Sequence, residues 1–282
     1  MRRDKTLKQM SEKLKKISDT GSGERLLLFT EDPQFQELAA QINRLLEDRQ
    51  NLKADQRRLE QSSRRMLANI SHDIKTPMTV LLGYLEIMQT SGQVSEEMLR
   101  KAEQKARDVM DLIQKFFTLA RLESGDLVQE QFRIDICEIC RECILDDYDL
   151  LTGQDFQVEI RIPETPVWIL GNQEALRRIL ANLISNAVRY GADGHYLGFS
   201  LSAEETSVFL QVTDHGKGID PVSIEHIFDR MYTADDARSQ NIQGSGLGLA
   251  IAKNLALQLG GDLTCQSTPS VQTTFTLRFP RN

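Results

Sequence analysis

A seven-residue repeat of apolar side chains runs from Phe35 to Ile70, and it confines this part of the chain to a long helix. One position of the repeat holds Leu38, Leu45, Leu52, Leu59 and Met66. The other position holds Phe35, Ile42, Arg49, Gln56, Ser63 and Ile70, so polar residues interrupt it. We therefore predict a coiled-coil seam whose interruptions weaken the coil and fix its register, as suits a helix that shifts between states.

A shorter amphipathic pattern over residues 5–20 precedes the repeat, and Gly21-Ser22-Gly23 ends it. Two helices joined by a connector, with Glu31-Asp32 ahead of the second helix, resemble a HAMP-type signal relay. A plain dimerising coil explains the same pattern. We assign residues 1–60 to a HAMP-like or coiled-coil signalling segment.

The charge of the chain argues against nucleic acid as a partner. The formal net charge is −7, whereas proteins that bind nucleic acid or anionic membranes usually have a basic surface. Residues 1–20 do contain seven Lys or Arg against three Asp or Glu. A solvated helix face explains this cluster, and so does the cytoplasmic flank of a membrane helix further upstream. No apolar run approaches the ~18–20 residues needed to cross a bilayer, so the chain as written is expected to be soluble.

Three of the four cysteines follow one another in steps of three: Cys137, Cys140 and Cys143. A zinc site would need a fourth ligand, and only the distant Cys265, with no histidine beside it, is left to complete the known spacing patterns. Steps of three place these cysteines on one broad helix face with Ile136 and Ile144, where small apolar side chains pack. We predict that they are core residues.

The heptad leads directly into the segment Ser71-His72-Asp73-Ile74-Lys75-Thr76-Pro77. A histidine exposed beside the seam can act as a nucleophile, because an imidazole of pKa ~6.5 is largely uncharged near neutral pH. Asp73 can accept the proton of one ring nitrogen and stabilise positive charge as a phosphoryl group arrives at the other. Thr76 lies one helical turn from His72, where its hydroxyl could position a water molecule. Pro77 cannot donate to the carbonyl of Asp73, so we predict a kink below His72.

This segment closely resembles the phosphoacceptor box of sensor histidine kinases. The resemblance implies that His72 is phosphorylated, that Asp73 assists and that Thr76 supports phosphatase activity. After the box, Gly92 interrupts the helix. An apolar stripe at helical spacing then follows at Val94, Met98, Ala102, Ala106, Met110, Ile113 and Phe117. One helical hairpin cannot bury both of its faces, so we predict a dimeric four-helix bundle over residues 61–124 with His72 on its outside.

From about residue 126 the pattern changes to alternating strands and helices, which predicts an α+β domain over residues 125–282. Ser124-Gly125-Asp126 is the expected hinge. The clearest strand candidates are residues 156–162 and 206–212. A strong helix begins after Gly171, with Asn172 as its cap.

On that helix Asn182, Asn186 and Arg189 share one face, and Tyr190 follows them. Asparagine is a poor helix former, so two of them inside an otherwise apolar helix favour a binding role, although a polar solvent face explains them too. Asn186 could hold Mg²⁺ together with triphosphate oxygens, Arg189 could contact phosphate, and Tyr190 could lie against a base. The segment resembles the N box of the same kinases, whose ATP-binding domain is an α+β sandwich of the GHKL (Bergerat) fold.

A first glycine-rich segment follows a predicted strand that ends at Asp214. Gly216 and Gly218 let the backbone turn tightly and approach a ligand. In the sensor histidine kinases, which this segment resembles, the corresponding aspartate binds the exocyclic amine of adenine. Residues 224–231 resemble the aromatic box of the family, with Phe228 in the expected place, and residues 232–243 are polar enough to form a lid.

The second glycine-rich segment is Gly244-Ser245-Gly246-Leu247-Gly248-Leu249. It starts a helix whose free amide groups can face phosphates, and we assign Gly244, Gly246, Leu247 and Gly248 to nucleotide binding. Its G-x-G-x-G spacing without a preceding strand does not match the Rossmann fingerprint. His215 stands where the family often has asparagine, and Gln272 replaces the glycine that usually precedes Thr273, which we also assign to the nucleotide.

The resemblance covers about residues 62–280. It implies a homodimer that uses ATP and Mg²⁺ to phosphorylate His72 and then transfers the phosphoryl group to an aspartate of a response-regulator receiver domain. It also implies a cytoplasmic location, either free or as part of a kinase with a membrane anchor upstream of Met1. ATP-driven clamps of the gyrase and mismatch-repair type share the nucleotide fold, but they have a glutamate base where this chain has Asn182. An ATP-binding sensor or scaffold without kinase turnover is the remaining alternative.

Overall fold

The computed structural model describes residues 2–20, 24–27, 30, 32–91, 94–123, 130–233 and 246–281. The chain divides into two compact units, Met1–Ala68 and Asn69–Asn282, and each is described by itself. Within the described residues, no helix combines the length and the apolar character needed to span a bilayer.

Three long helices account for most of the described residues before position 124: α1 (Arg2–Thr20), α2 (Pro33–Ser91) and α3 (Glu96–Glu123). α1 confirms the helix predicted over residues 5–20, and α2 contains the whole heptad repeat. The helix continues through Pro77, and the predicted kink there stays a prediction. The breaks predicted at Gly21-Ser22-Gly23, Gly92 and Ser124-Gly125-Asp126 lie outside the described residues.

In the first unit, α1 and the start of α2 form a small apolar core around Leu26. The buried members of this core are Met10, Leu26 and Ala39, and Leu14, Phe35 and Ile42 pack against them. Asn43 of α2 holds the segment between the helices in place. Its Nδ2 donates to the carbonyl of Leu26 at 3.0 Å, and its Oδ1 accepts from the amide of Leu26 at 2.6 Å.

Three leucines of the predicted seam face solvent in a single chain. Leu38, Leu45 and Leu52 are 42%, 68% and 70% exposed. A row of large apolar side chains left open along one helix is what a second helix would cover. This exposure is consistent with the predicted coiled coil.

The second unit contains the predicted α+β domain. Its strands are β1 (Phe132–Asp135), β2 (Gln157–Arg161), β3 (Trp168–Gly171), β4 (Tyr196–Ala203), β5 (Ser207–Asp214), β6 (Asp262–Thr268) and β7 (Gln272–Pro280). Its helices are α4 (Ile136–Asp146), α5 (Tyr148–Gly153), α6 (Gln173–Tyr190), α7 (Pro221–Ile224) and α8 (Gly248–Gln258), with a 3₁₀ turn at Ala192–Gly194. β2 and β5 confirm the two strands predicted at residues 156–162 and 206–212.

Five strands form one sheet in the order β2-β4-β5-β7-β6, and β1 pairs separately with β3. β2 runs parallel to β4, and the other neighbours in the sheet are antiparallel. Alternate residues of the central strands are buried, as in Val208, Leu210 and Val212 of β5. α6 and α8 pack against each other, and α6 also contacts β5. Helices therefore cover one face of the sheet, which confirms the predicted α+β sandwich.

The side chains at the start of α6 and along α4 follow the sequence predictions. Asn172 caps α6, because its Oδ1 accepts from the amide of Ala175 at 3.0 Å. Cys137, Cys140 and Cys143 of α4 are buried, as predicted for core residues. Burial raises the pKa of Cys143 to about 11, which keeps this thiol protonated at neutral pH.

α3 packs against α8, and Leu119 and Leu122 of α3 are buried. His72, α3 and the sheet domain thus belong to one compact unit, which begins within α2 at Asn69. The division into segments 1–60, 61–124 and 125–282 stays a prediction.

Candidate functional site

His72 lies on α2 with its side chain 79% exposed. Its Nδ1 is 3.3 Å from Oδ1 of Asp73, so the ring has a carboxylate on one nitrogen. Where Nδ1–H donates to this carboxylate, Nε2 has the free lone pair. The hydroxyl of Thr76 donates to the carbonyl of His72 at 3.2 Å, one turn back along the helix. The exposed ring nitrogen can therefore act as a nucleophile.

A cavity of about 360 Å³ lies in the sheet domain, beside α6 and the start of α8. The predicted site residues that line it are Asn182, Asn186, Arg189, Tyr190, Asp214, Gly218, Gly246, Gly248 and Thr273. The fold brings together residues that are up to 91 positions apart in the chain, and most of them are polar or glycine. This is the composition expected of a site for a polar, phosphate-bearing ligand.

α6 forms one wall of the cavity, and α8 begins very close to it. Asn182 is 9% exposed, and its Nδ2 donates to the carbonyl of Arg178 at 2.8 Å. A Cβ atom at Gly248 would lie 2.8 Å from Oδ1 of Asn182, so a larger residue would push the two helices apart. Glycine therefore allows the first free amides of α8 to reach the cavity.

Asp214 and Thr273 form the floor of the cavity from neighbouring strands. Asp214 ends β5 and faces Thr273 of β7 across the ladder, and both are at most 4% exposed. The amide of Gly216 donates to Oδ1 of Asp214 at 3.0 Å. Ser267 links Thr273 to the glycine loop, because its hydroxyl lies 2.9 Å from the Thr273 hydroxyl and accepts from the amide of Ile219 at 2.9 Å. These bonds fix the position of the carboxylate and of the threonine.

Burial raises the pKa of Asp214, and the Gly216 amide and the charge of His215 only partly offset this effect. A carboxyl whose pKa is raised in the folded state favours folding most at low pH. That contribution is lost as the pH rises through the native pKa. At neutral pH the buried carboxylate therefore lowers the free energy of unfolding.

Replacement of Asp214 by asparagine is expected to raise the melting temperature at pH 7.5 by about 2 °C or more, because the neutral amide keeps the acceptor for Gly216 without the buried charge. The gain should shrink as the pH falls through the native pKa of Asp214. Asp193→Asn, at an exposed position, is the control and should change stability by less than ~0.5 kcal/mol. A lower melting temperature for Asp214→Asn at pH 7.5 would contradict this account of the carboxylate.

Several predicted residues do not line the cavity. Phe228 packs edge-on against Phe275 at 6.5 Å, with the ammonium of Lys253 5.3 Å from its ring, and it does not line the cavity. Leu247 is fully buried at the start of α8. Gly216 lies under the cavity, where a Cβ would meet the carbonyl of Tyr190 at 2.3 Å.

The three predicted catalytic residues do not line the cavity: His72, Asp73 and Thr76. Gly244 and residues 234–243 of the predicted lid lie outside the described residues. Three further lining residues lie in segments that the sequence predicted beside the site: Ile227 in the aromatic box, and Tyr232 and Thr233 in the lid. The lining residues that the sequence analysis did not assign to the site are Lys115, Ser185, Lys217, Ile219, Asp220, Ser223, Leu249 and Pro269. The sequence could have indicated Lys217, because it lies between Gly216 and Gly218 of the first glycine-rich segment.

Two family models match the chain. Residues 62–125 match the His Kinase A (phospho-acceptor) domain. Residues 171–282 match the histidine kinase-, DNA gyrase B- and HSP90-like ATPase. His72 lies in the first match, and every cavity residue named above except Lys115 lies in the second.

Curated relatives match over most of the chain. Sensor histidine kinase YcbM of Bacillus subtilis is 40% identical over 99% of this chain and 91% of its own length. Sensor histidine kinase WalK of the same organism is 30% identical over 80% of this chain and 38% of its own length. The phosphate regulon sensor protein PhoR of Haemophilus influenzae is 31% identical over 78% of this chain and 52% of its own length.

Two solved structures share the fold. The Acinetobacter baumannii histidine kinase AdeS has a TM-score of 0.63 at 23% identity, covering 75% of this chain and 98% of that chain. Full-length ShkA in complex with AMPPNP has a TM-score of 0.57 at 23% identity, covering 77% of this chain and 46% of that chain. Together with the matching ATPase family model, this shared fold confirms the predicted GHKL-type architecture.

Proposed function

Given that the chain belongs to the sensor histidine kinases of two-component systems, we propose that His72 accepts the γ-phosphoryl group of ATP bound in the cavity. Autophosphorylation on histidine, with ATP as the donor, and phosphotransfer in two-component signalling are the activities of this family and of the chain. The observation that supports His72 as the acceptor is its exposed ring, with Asp73 on Nδ1, inside the segment that matches the phospho-acceptor family.

ATP would lie with its base on the floor of the cavity and its phosphates at the start of α8. The carboxylate of Asp214 would accept from the exocyclic amine of adenine, with Thr273 beside it. The free amides at Gly246 and Gly248 would face the phosphates. Arg189, exposed on α6, would add a positive charge on the same side.

The residues present are suited to a magnesium ion that the nucleotide helps to hold. Mg²⁺ favours six oxygen ligands and usually takes only one or two from protein side chains when it binds substrate phosphates. The amide oxygen of Asn186, half-buried in the cavity wall, is such a ligand. Among the described residues, no group of three or more His, Cys, Asp or Glu could hold a metal alone. The ion would neutralise charge on the transferring phosphoryl group.

The transfer step forms a bond from Nε2 of His72 to the γ-phosphorus while the bond from phosphorus to the β,γ-bridging oxygen breaks, and ADP leaves. The Nδ1 proton stays on the ring and donates to Asp73, which stabilises the positive charge that develops. Because His72 does not line the cavity, the sheet domain must reorient before the reactive atoms meet, on the same chain or on a partner chain.

The remaining assignments extend this proposal. The seam of α2 and the hairpin of α2 and α3 would form the homodimer, and residues 1–60 would pass a signal to it. A response-regulator receiver aspartate would take the phosphoryl group, and Thr76 would assist its later hydrolysis. We place this activity in the cytoplasm, where ATP is available, with no role for nucleic acid.

Transfer of label from γ-labelled ATP to the purified chain in the presence of Mg²⁺ tests the proposed function. We expect label that acid removes and alkali preserves, because a phosphorus–nitrogen bond to imidazole has this stability, and we expect it to pass to a receiver domain. Tight ATP binding without any label would instead support a nucleotide sensor that does not turn over.

A further inference from the structure

The cavity has one wall residue from outside the sheet domain. Lys115 belongs to α3, in the helical hairpin, whereas all other lining residues lie between Asn182 and Thr273. The side chain of Lys115 is 27% exposed, so most of its surface is sheltered by the protein. A second structural element therefore completes the site.

Packing of α3 on α8 and a hydrogen bond to α6 place Lys115 at the cavity. Arg178, in the first half of α6, donates to the hydroxyl of Thr118 of α3. Burial would raise the pKa of Asp108 on α3, yet neighbouring donors on α3 and the positive charge of Arg189 on α6 lower it overall. Lys115 lies one turn from Thr118 on α3 and lines the same cavity as Asn182 and Asn186 of α6.

The contact between α3 and the sheet domain has several further anchors. Leu119 is fully buried and Leu122 is 5% exposed. The side-chain amide of Gln258, the last residue of α8, donates to the carbonyl of Leu122 at 3.2 Å. The buried leucines and this hydrogen bond follow Thr118 along α3, and together they hold α3 beside the cavity.

The charges around Lys115 favour an anionic ligand. Its ammonium lies 2.7 Å from a carboxylate oxygen of Asp111, which is 63% exposed and does not line the cavity. Among the lining residues, the cations Lys115, Arg189 and Lys217 outnumber the carboxylates Asp214 and Asp220, and the free amides of α8 add positive potential. A phosphate in the cavity could be bound by Lys115 while its ion pair with Asp111 is retained or exchanged, since an ammonium has three donors.

We propose that Lys115 binds a phosphate group of the nucleotide when the sheet domain is packed on α3. This inference rests on the proposed function and adds a ligand from the hairpin to the ATP site. The helix that follows the phosphoacceptor helix in the chain then responds directly to whether the cavity contains a phosphorylated nucleotide.

A purely structural role for Lys115 is the competing explanation, because an ion pair four residues apart on a helix is common. The chain offers a matched control for it. Lys101 and Glu97 form the same kind of pair on α3 at 2.6 Å, with both side chains more than half exposed and away from the cavity. Replacing Lys101 therefore removes a surface ion pair and leaves every cavity residue in place.

The test measures binding of the β,γ-imido analogue of ATP with Mg²⁺, and of adenosine, to the full chain by calorimetry. Lys115→Ala and Lys115→Gln are expected to weaken analogue binding by about tenfold, the usual effect of losing one charge-assisted hydrogen bond. Adenosine binding should not change in either variant. Lys115→Arg should restore most of the affinity, and Lys101→Ala should bind both ligands as the unchanged chain does.

Each other outcome has a definite meaning. Equal analogue affinity in the unchanged chain and in both Lys115 variants would overturn the inference, as would an equal loss for adenosine and the analogue, which indicates a structural role. If the unchanged chain bound neither ligand, the proposed function would fail rather than this inference.

Discussion

Replacement of His72 by glutamine is expected to reduce autophosphorylation by ~10³-fold or more, to the background of the assay, since the nucleophile itself is removed. ATP binding should not change, because His72 is exposed on α2 and does not line the cavity. Label transfer from γ-labelled ATP and calorimetric titration of the β,γ-imido analogue measure the two effects separately.

His195→Asn is the matched control for that substitution. His195 is also exposed and has a positive φ of 46°, a conformation that asparagine tolerates. It lies before β4, outside α2, and does not line the cavity, so label transfer should be retained. Label that survives in His72→Gln would show that another residue is the acceptor.

Replacement of Asn186 by alanine is expected to lower autophosphorylation by about 10²–10³-fold, the usual loss when one polar group that stabilises the reacting charge is removed. The physical reason is the loss of the side-chain oxygen assigned to Mg²⁺ in the cavity wall. The activity that remains should require a higher Mg²⁺ concentration. Initial rates of label transfer over a series of Mg²⁺ concentrations measure both effects.

Asn254→Ala provides the comparison for Asn186→Ala. Asn254 lies on α8, donates to the carbonyl of Ala250 at 2.8 Å and does not line the cavity. Both variants remove a half-buried asparagine from a helix that flanks the site. A similar loss of activity in the two variants, or an unchanged Mg²⁺ requirement in Asn186→Ala, would refute the assignment of Asn186.

The local patterns of the sequence predicted most of the helices and strands. The seven-residue repeat predicted the long helix α2, and the apolar periodicity after Asn172 predicted α6 together with its cap. The glycine-rich segments predicted where the backbone turns beside the cavity, because a tight turn depends on the backbone conformation that glycine itself can adopt. Gly218 and Gly246 do have positive φ values of 71° and 63°.

The sequence did not predict residues whose roles depend on packing between distant elements. Lys115 reaches the cavity only because α3 packs on α8 and bonds to α6 through Thr118 and Arg178, and no pattern in these helices specifies those contacts. Ser267 links the glycine loop to Thr273 through the pairing of β6 with β7. Phe228, assigned to the nucleotide site by resemblance, packs edge-on against Phe275 of β7 and does not line the cavity, and the local sequence does not specify this contact.

The most direct test of the central claim is to locate the phosphoryl group after the purified chain is incubated with ATP and Mg²⁺. Digestion and mass spectrometry at alkaline pH, which preserves phosphohistidine, would identify the modified residue. Our account predicts one modified peptide, with the phosphoryl group on His72. A phosphoryl group on any other residue, or an unmodified chain that nevertheless binds ATP, would contradict it.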